Sequence, residues 1–154
     1  MKYQTVVTPE TLFINLNNPN WLILDFRNTL LKDSEAYLMF ETSHIPGASY
    51  CFINHCHDSA QNMKSNNNSL STSFDLVLKE LNDFGYNENT QIIIYGNSDG
   101  VMVNQIWLFM RTLGFKDTAI LQGGFKAWED DYYPVTRNLQ PMCILNESHL
   151  RTER

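Results

Sequence analysis

Ile92-Ile93-Ile94-Tyr95-Gly96-Asn97-Ser98-Asp99-Gly100-Val101 decides the fold class. A β-branched apolar run stops in a loop of Gly, Asn, Ser and Asp, and a helical pattern opens near Val103-Asn104-Gln105-Ile106-Trp107. An apolar run without alternation suits a strand covered on both faces, as in a parallel sheet. A strand, a short loop and a helix N-terminus in that order aim several backbone N–H groups at one point, a ready anion site. Many α/β enzymes put a nucleophile at the head of such a loop. This chain puts Gly96 there.

Upstream, Trp21-Leu22-Ile23-Leu24-Asp25-Phe26 is a second continuous apolar run, with Asp25 and Arg27 at its carboxyl end, where open α/β sheets place their sites. The plainer reading of Asp25 is a structural carboxylate that braces the following loop. Before this strand, Thr5-Val6-Val7 reads as a short strand. Thr8 (N-cap), Pro9 (first helical position) and Glu10 (near the positive dipole end) start a helix whose apolar face is Leu12, Phe13 and Leu16. After it, Ser34 caps a short helix through Phe40. The loop Ser43-His44-Ile45-Pro46-Gly47-Ala48 then feeds a strand at Ser49-Tyr50-Cys51-Phe52. His44 could titrate or bind a metal; a ring that ties down the loop backbone is the plainer reading.

Residues 54–73 are polar and carry Asn54-His55-Cys56-His57-Asp58. The adjacent His55, Cys56 and His57 cannot easily all face one ion, and no second ligand pair follows at zinc spacing, so no metal is expected. Lys64 to Ser69 is a polar surface loop. Ser73 caps an amphipathic helix from Phe74 to Phe84, with Leu76, Val77, Leu81 and Phe84 on one side and Gly85 ending it. Asn87 to Thr90 is a turn into the opening strand. The helix after the loop buries Ile106, Trp107, Phe109, Met110 and Leu113 and closes at Gly114. Thr118 to Leu121 is another buried strand, and Gly123-Gly124 permit close backbone approach at the start of a short helix. Strands alternating with helices imply a parallel sheet with helices on both faces. Residues 1–136 form the domain; residues 137–154 lack periodicity and read as a tail or interdomain connector.

At 154 residues, 43% hydrophobic and 18% charged, the chain is long enough for one domain with a core. No apolar run approaches the length of a membrane span, and the first residues lack the apolar region of a secretory signal. A net charge of −6 argues against nucleic acid as a partner. Cys51, Cys56 and Cys143 are odd in number and irregularly spaced, which suits reduced thiols in a cytoplasm.

Four landmarks in register resemble the rhodanese domain, the sulfurtransferase module. They are Asp25-Phe26-Arg27, Ser43-His44-Ile45-Pro46-Gly47-Ala48, Ile93-Ile94-Tyr95, and Leu121-Gln122-Gly123-Gly124-Phe125-Lys126-Ala127-Trp128. The resemblance covers Val6 to Val135 and implies a three-layer α/β/α fold with a central, mainly parallel sheet. It is closer to the amino-terminal half of two-domain sulfurtransferases acting on thiosulfate or 3-mercaptopyruvate. There a Tyr-Asp-x-x-Asp-x-Gly loop precedes a helix with paired tryptophans; Tyr95-Gly96-Asn97-Ser98-Asp99-Gly100 followed by Trp107-Leu108-Phe109-Met110-Arg111 is similar. The family regards that half as non-catalytic, with the cysteine in the other half.

The resemblance implies a chemistry in which a cysteine thiolate becomes a persulfide and passes its sulfur to cyanide or a thiol. The thiolate is the reactive form. The position that carries it corresponds to Gly96, which has no side chain. Cys51, Cys56 and Cys143 do not stand at a strand-to-helix turn. Asp99 would disfavour an anionic substrate, because a like charge a few ångströms away costs on the order of a kcal/mol or more. Gly96 and Val101 also stand where related dual-specificity phosphatases need Cys and Arg. The expectation is therefore a non-catalytic domain with no catalytic residue and no cofactor, structural or partner-binding, and with an exposed apolar face. Gly96, Asn97, Ser98, Asp99, Gly100 and Val101 form its degenerate loop, and Asp25, Arg27, His44, Gly47, Gly123, Gly124 and Trp128 its structural motif. The expected partner is a second rhodanese domain or a homo-oligomer, with neither nucleic acid nor membrane involved. The alternative is part of an active enzyme whose catalytic cysteine is on a separate domain or chain. A third reading is an anion-binding module that uses the loop N–H groups.

Overall fold

The computed structural model describes residues 2–27, 33–52, 75, 77–138 and 143–144. Among the described residues six strands form one sheet: β1 (Val6–Val7), β2 (Trp21–Asp25), β3 (Ser49–Phe52), β4 (Gln91–Tyr95), β5 (Thr118–Leu121) and β6 (Cys143–Ile144). Their order is β1-β5-β4-β2-β3-β6, and every strand pair is parallel. The helices are α1 (Pro9–Ile14), α2 (Asp33–Thr42), α3 (residues 77–82), α4 (Val101–Leu113) and α5 (Gly124–Asp130). This is the three-layer α/β/α architecture.

The unbroken apolar runs are explained by the two layers. Along β2 and β4, Leu22, Leu24, Ile92 and Ile94 point to one face, where Val77 and Leu81 of α3 and Ile106, Phe109 and Met110 of α4 cover them. Ile23, Ile93 and Tyr95 point to the other, against Leu12 of α1, Phe40 of α2 and Phe125 and Trp128 of α5. Each fully buried aliphatic side chain is worth about 1.5–3 kcal/mol, so the three isoleucines of β4 fix the strand that carries the loop.

Local signals act as their chemistry dictates. The Thr8 hydroxyl accepts the Thr11 N–H at 3.1 Å, with Pro9 at the first turn of α1. At the end of α4, the Phe115 N–H reaches back to the Met110 carbonyl at 3.0 Å. Some boundaries differ from expectation. Helix α4 starts at Val101, two residues early, because the Gly100 carbonyl already accepts the Asn104 N–H at 3.3 Å. Helix α2 starts at Asp33, which puts Ser34 inside the first turn rather than at the cap. Helix α1 buries only Leu12. Phe13 is 44% exposed, its ring centroid 5.0 Å from that of Tyr133 and tilted by 33°. Trp107 is half-buried; its indole N–H donates to the Thr118 carbonyl at 2.9 Å.

The chain after residue 136 contributes to the sheet. Thr136 bridges His44, and Cys143–Ile144 pair with Cys51–Phe52 as the edge strand. A two-residue strand is too short to show periodicity, so only the open edge of β3 selects it. The His55-Cys56-His57 cluster, the loop from Lys64 to Ser69 and the cap at Ser73 lie outside the described residues. Among the described residues no helix is long and apolar enough to cross a membrane.

Candidate functional site

Asp25 of β2 and Tyr95 of β4 are register partners at the carboxyl ends of adjacent parallel strands. After β2 the chain passes to α2, in the layer of Phe40; after β4 it passes to α4, in the layer of Ile106. Two neighbouring strands whose connections leave to opposite faces open a crevice at their carboxyl ends. A cleft of about 520 Å³ lies there, lined by Arg27, Met39, Ser43, Asn97, Ser98, Phe125 and Lys126, among others.

The floor of this crevice is a buried polar network. Arg27 grips the Asp25 carboxylate with Nε at 3.0 Å and Nη2 at 2.9 Å, and its backbone N–H donates to Oδ1 at 3.0 Å. The Tyr95 hydroxyl donates to the same carboxylate at 2.6 Å. Asp25 and Tyr95 are 0% exposed and Arg27 4%. Buried charges persist only when paired and hydrogen-bonded, and three hydrogen-bond donors with the Arg27 charge meet that requirement for Asp25. Burial, and then the negative charge of Asp25, hold the Tyr95 phenol well above its ordinary value of 10.0. Arg27 Nη2 also donates to the Ser43 carbonyl at 2.7 Å, and its guanidinium carbon lies 4.0 Å from the Phe125 ring centroid. The network therefore joins β2, β4, the loop after α2 and α5, and it commits the arginine's charge to Asp25.

The loop from Gly96 to Gly100 is held by the start of α5. Phe125 N–H donates to the Gly96 carbonyl at 2.9 Å, Lys126 N–H to the Asn97 carbonyl at 2.8 Å, and Gly123 N–H to Asp99 Oδ1 at 2.7 Å. Three donors that a helix start leaves without intrahelical partners are thus satisfied. The close approach explains the Gly-Gly pair. A Cβ on Gly124 would lie 2.7 Å from Ser98 N and 2.8 Å from the Gly96 oxygen, and the residue has φ +64°. Gly96 is different. A Cβ there would meet Val103 Cβ at 3.7 Å and the Ser98 oxygen at 3.8 Å, ordinary contacts, and its φ is outside the left-handed region. The backbone does not require glycine at this position.

The other singled-out residues stand around this frame. The His44 ring nitrogens lie 2.7 Å from the Phe40 and Asn138 carbonyls, and the ring stacks on Phe40 at 3.8 Å. A neutral ring donates to one of those carbonyls. The Trp128 indole N–H donates to the Pro134 carbonyl at 2.7 Å, and Gly47 turns with φ +82° before β3. His44, Gly47 and Trp128 do not line the cleft. Asn97, Ser98, Asp99, Gly100 and Val101 are exposed, the first two lining the cleft, whereas Gly96 is buried. Among the described residues lining the cleft there is neither Cys nor His. The hydroxyls of Thr42, Ser43 and Ser98 stand there with the carboxylate of Glu129 and the ammonium of Lys126; the Lys126 ammonium pairs with Asp130 at 3.0 Å.

Residues 8–131 match the profile of the rhodanese-like domain. The chain belongs to the rhodanese-like domain family. It is 26% identical over 133 residues to a probable 3-mercaptopyruvate sulfurtransferase of Pseudomonas aeruginosa, covering 84% of this chain and 46% of that protein. It is 28% identical over 114 residues to a thiosulfate sulfurtransferase of Gallus gallus, covering 68% of this chain and 36% of that protein. The chain thus spans less than half the length of these relatives. Its fold is similar to a solved 3-mercaptopyruvate sulfotransferase of Escherichia coli, with a TM-score of 0.68 at 22% identity, over 94% of this chain and 56% of that one.

Within this rhodanese-like frame, four contributors to the site escaped the sequence reading. Tyr95 was legible as a strand residue, but its bond to Asp25 joins residues 70 apart. Phe125 was legible in its motif, but not as the platform under Arg27. Met39 and Thr42 line the cleft from α2; the amphipathic pattern of that helix is weak and gave no signal.

Proposed function

We propose that this chain is a non-catalytic rhodanese-like domain that serves a structural or partner-binding role. The observation that carries the reading is Gly96 at the head of the β4–α4 loop. The resemblance assigns the sulfur-bearing cysteine to that position, and a glycine cannot form a persulfide. Among its described lining residues the cleft holds no cysteine that could take over the role. The loop carbonyls and Asp99 take up the α5 donors, and Asp99 sets a negative charge beside the place an anionic sulfur donor would occupy. The partner is a second rhodanese domain or a second copy of the chain. Val101 and Leu108, 70% and 58% exposed and two turns apart on α4, support such a contact beside the loop. The three irregularly spaced cysteines suit a cytoplasmic setting.

A second reading is part of an active sulfurtransferase whose cysteine is on a separate domain or chain. The partial coverage of the relatives, 46% and 36% of their lengths, favours it. Sulfur-transfer assays with thiosulfate and with 3-mercaptopyruvate test both readings. The chain alone is expected to give no turnover under either donor. Turnover abolished by replacing one of its own cysteines overturns both.

A further inference from the structure

The layer of α1 and α5, across the sheet from α4, carries its own exposed apolar group. Phe13 and Ile14 end α1, and Ile14 is 73% exposed. The Phe13 ring meets Tyr133, whose ring centroid lies 4.8 Å from that of Trp128. Next to Tyr133, Tyr132 is 94% exposed and has φ +61°. Among the described residues it is the one non-glycine with positive φ. That conformation is disfavoured for any residue with a Cβ, and glycine or asparagine closes such a turn with less strain. The Tyr132 side chain makes no hydrogen bond or ring contact with any described residue. No contact within the fold therefore offsets the strain, and an exposed tyrosine held in this way points to a recognition surface.

Charge gives the chemistry of the partner. Glu10 stands three and four positions before Phe13 and Ile14, on the same helical face, and Glu129, Asp130 and Asp131 lead into Tyr132. Among the described residues Glu10, Glu129 and Asp131 pair with no cation, whereas Asp130 holds Lys126 at 3.0 Å. The only other cation between Gly124 and Asn138 is Arg137. A second copy brought to this face about a symmetry axis would set these carboxylates against each other. Nucleic acid and anionic lipid are repelled for the same reason.

We propose that this face docks a basic amphipathic segment of a partner protein. Aliphatic or aromatic side chains of that segment cover Phe13, Ile14 and Tyr132, and flanking Lys or Arg residues meet the carboxylates. Ile14 and Tyr132 are the anchors that the partner takes out of water, and the carboxylates set the sign and the rate of association. The surface lies across the sheet from the contact at Val101 and Leu108, so it adds to the second-domain reading and does not depend on it.

The test selects peptides from a random display library on the full 154-residue chain, after depletion on Ile14→Ser, an exposed position that leaves the core intact. Enriched peptides are synthesised and titrated into the isotope-labelled chain, with amide signals followed by NMR. The expected sequences carry Lys or Arg around aliphatic or aromatic residues and shift the signals of α1 and residues 129–133. Their affinity for Ile14→Ser is lower by about tenfold. Glu10→Lys weakens binding too, and by less at high salt. Tyr132→Gly keeps or raises Tm, because the strain is relieved, while affinity falls by about tenfold. A tyrosine serving the fold alone would give the reverse, a lower Tm with binding unchanged, and that result overturns the proposal. So do an absence of sequences enriched over Ile14→Ser, enriched sequences that are acidic or uncharged, shifts confined to α4 or the cleft, or self-association of the chain that Ile14→Ser abolishes.

Discussion

Replacing Gly124 by alanine attacks the contact between the β4–α4 loop and α5 at its tightest point. The added Cβ would lie 2.7 Å from Ser98 N, 2.8 Å from the Gly96 oxygen and 2.8 Å from Ser98 Cα. These are backbone atoms, so no side-chain rotation relieves them. The φ of +64° costs an L-residue about 1–2 kcal/mol. Clearing the overlap stretches the Phe125–Gly96 and Lys126–Asn97 bonds, now 2.9 and 2.8 Å, each worth about 1 kcal/mol. The total is about 3 kcal/mol. Gly96→Ala is the control on the other side of the contact. Its Cβ meets nothing nearer than 3.7 Å, and the loss of unfolded-state freedom offsets small adjustments, so the change stays within about 1 kcal/mol. In equilibrium urea unfolding, with a slope of about 2 kcal/mol/M, Gly124→Ala lowers the midpoint by about 1.5 M and Gly96→Ala leaves it nearly unchanged. Equal losses for the two variants, or a loss under about 1 kcal/mol for Gly124→Ala, would mean that the loop and α5 are not in tight backbone contact at Gly124.

Arg27→Met leaves the Asp25 carboxylate buried with only the Tyr95 hydroxyl and one backbone N–H. It should cost about 3–5 kcal/mol in urea unfolding, and the loss should shrink when Asp25→Asn is added. Tyr95→Phe removes a charge-assisted bond worth about 1.5–3 kcal/mol. Because the folded phenol is held above 10.0, its contribution is full below pH 10 and falls as the pH rises toward the folded value. The wild type should therefore lose stability above pH 10 more steeply than Tyr95→Phe, read from unfolding midpoints across that range. Gly96→Cys should fold, since the site has room, yet give little sulfurtransferase activity beside Asp99. Robust persulfide formation on the introduced thiol of that variant, seen by intact mass, contradicts the role given to the loop.

The parts of this fold written in local chemistry were legible in the sequence. The β-branched run at Ile92 to Ile94, the stop at Gly96 and the Gly123-Gly124 pair each state a local requirement: burial on both faces, a turn, and a close backbone approach. The parts that depend on distant neighbours were not. Asp25-x-Arg27 shows an ion pair, but the third member, Tyr95, arrives through the β2–β4 register. Strand β6 exists because β3 has an open edge, and two residues carry no period of their own. The loop at Gly96 suggested N–H groups aimed at an anion. Its carbonyls receive the α5 donors, a relation between segments that no single stretch contains.

With glycine at position 96, this chain is expected to take up no transferable sulfur covalently. The direct measurement incubates the purified chain with thiosulfate, and separately with 3-mercaptopyruvate, and reads its intact mass before and after cyanide. The expected result is an unchanged mass and no thiocyanate. A mass increase of one sulfur atom on Cys51, Cys56 or Cys143, discharged by cyanide with thiocyanate release, would contradict it.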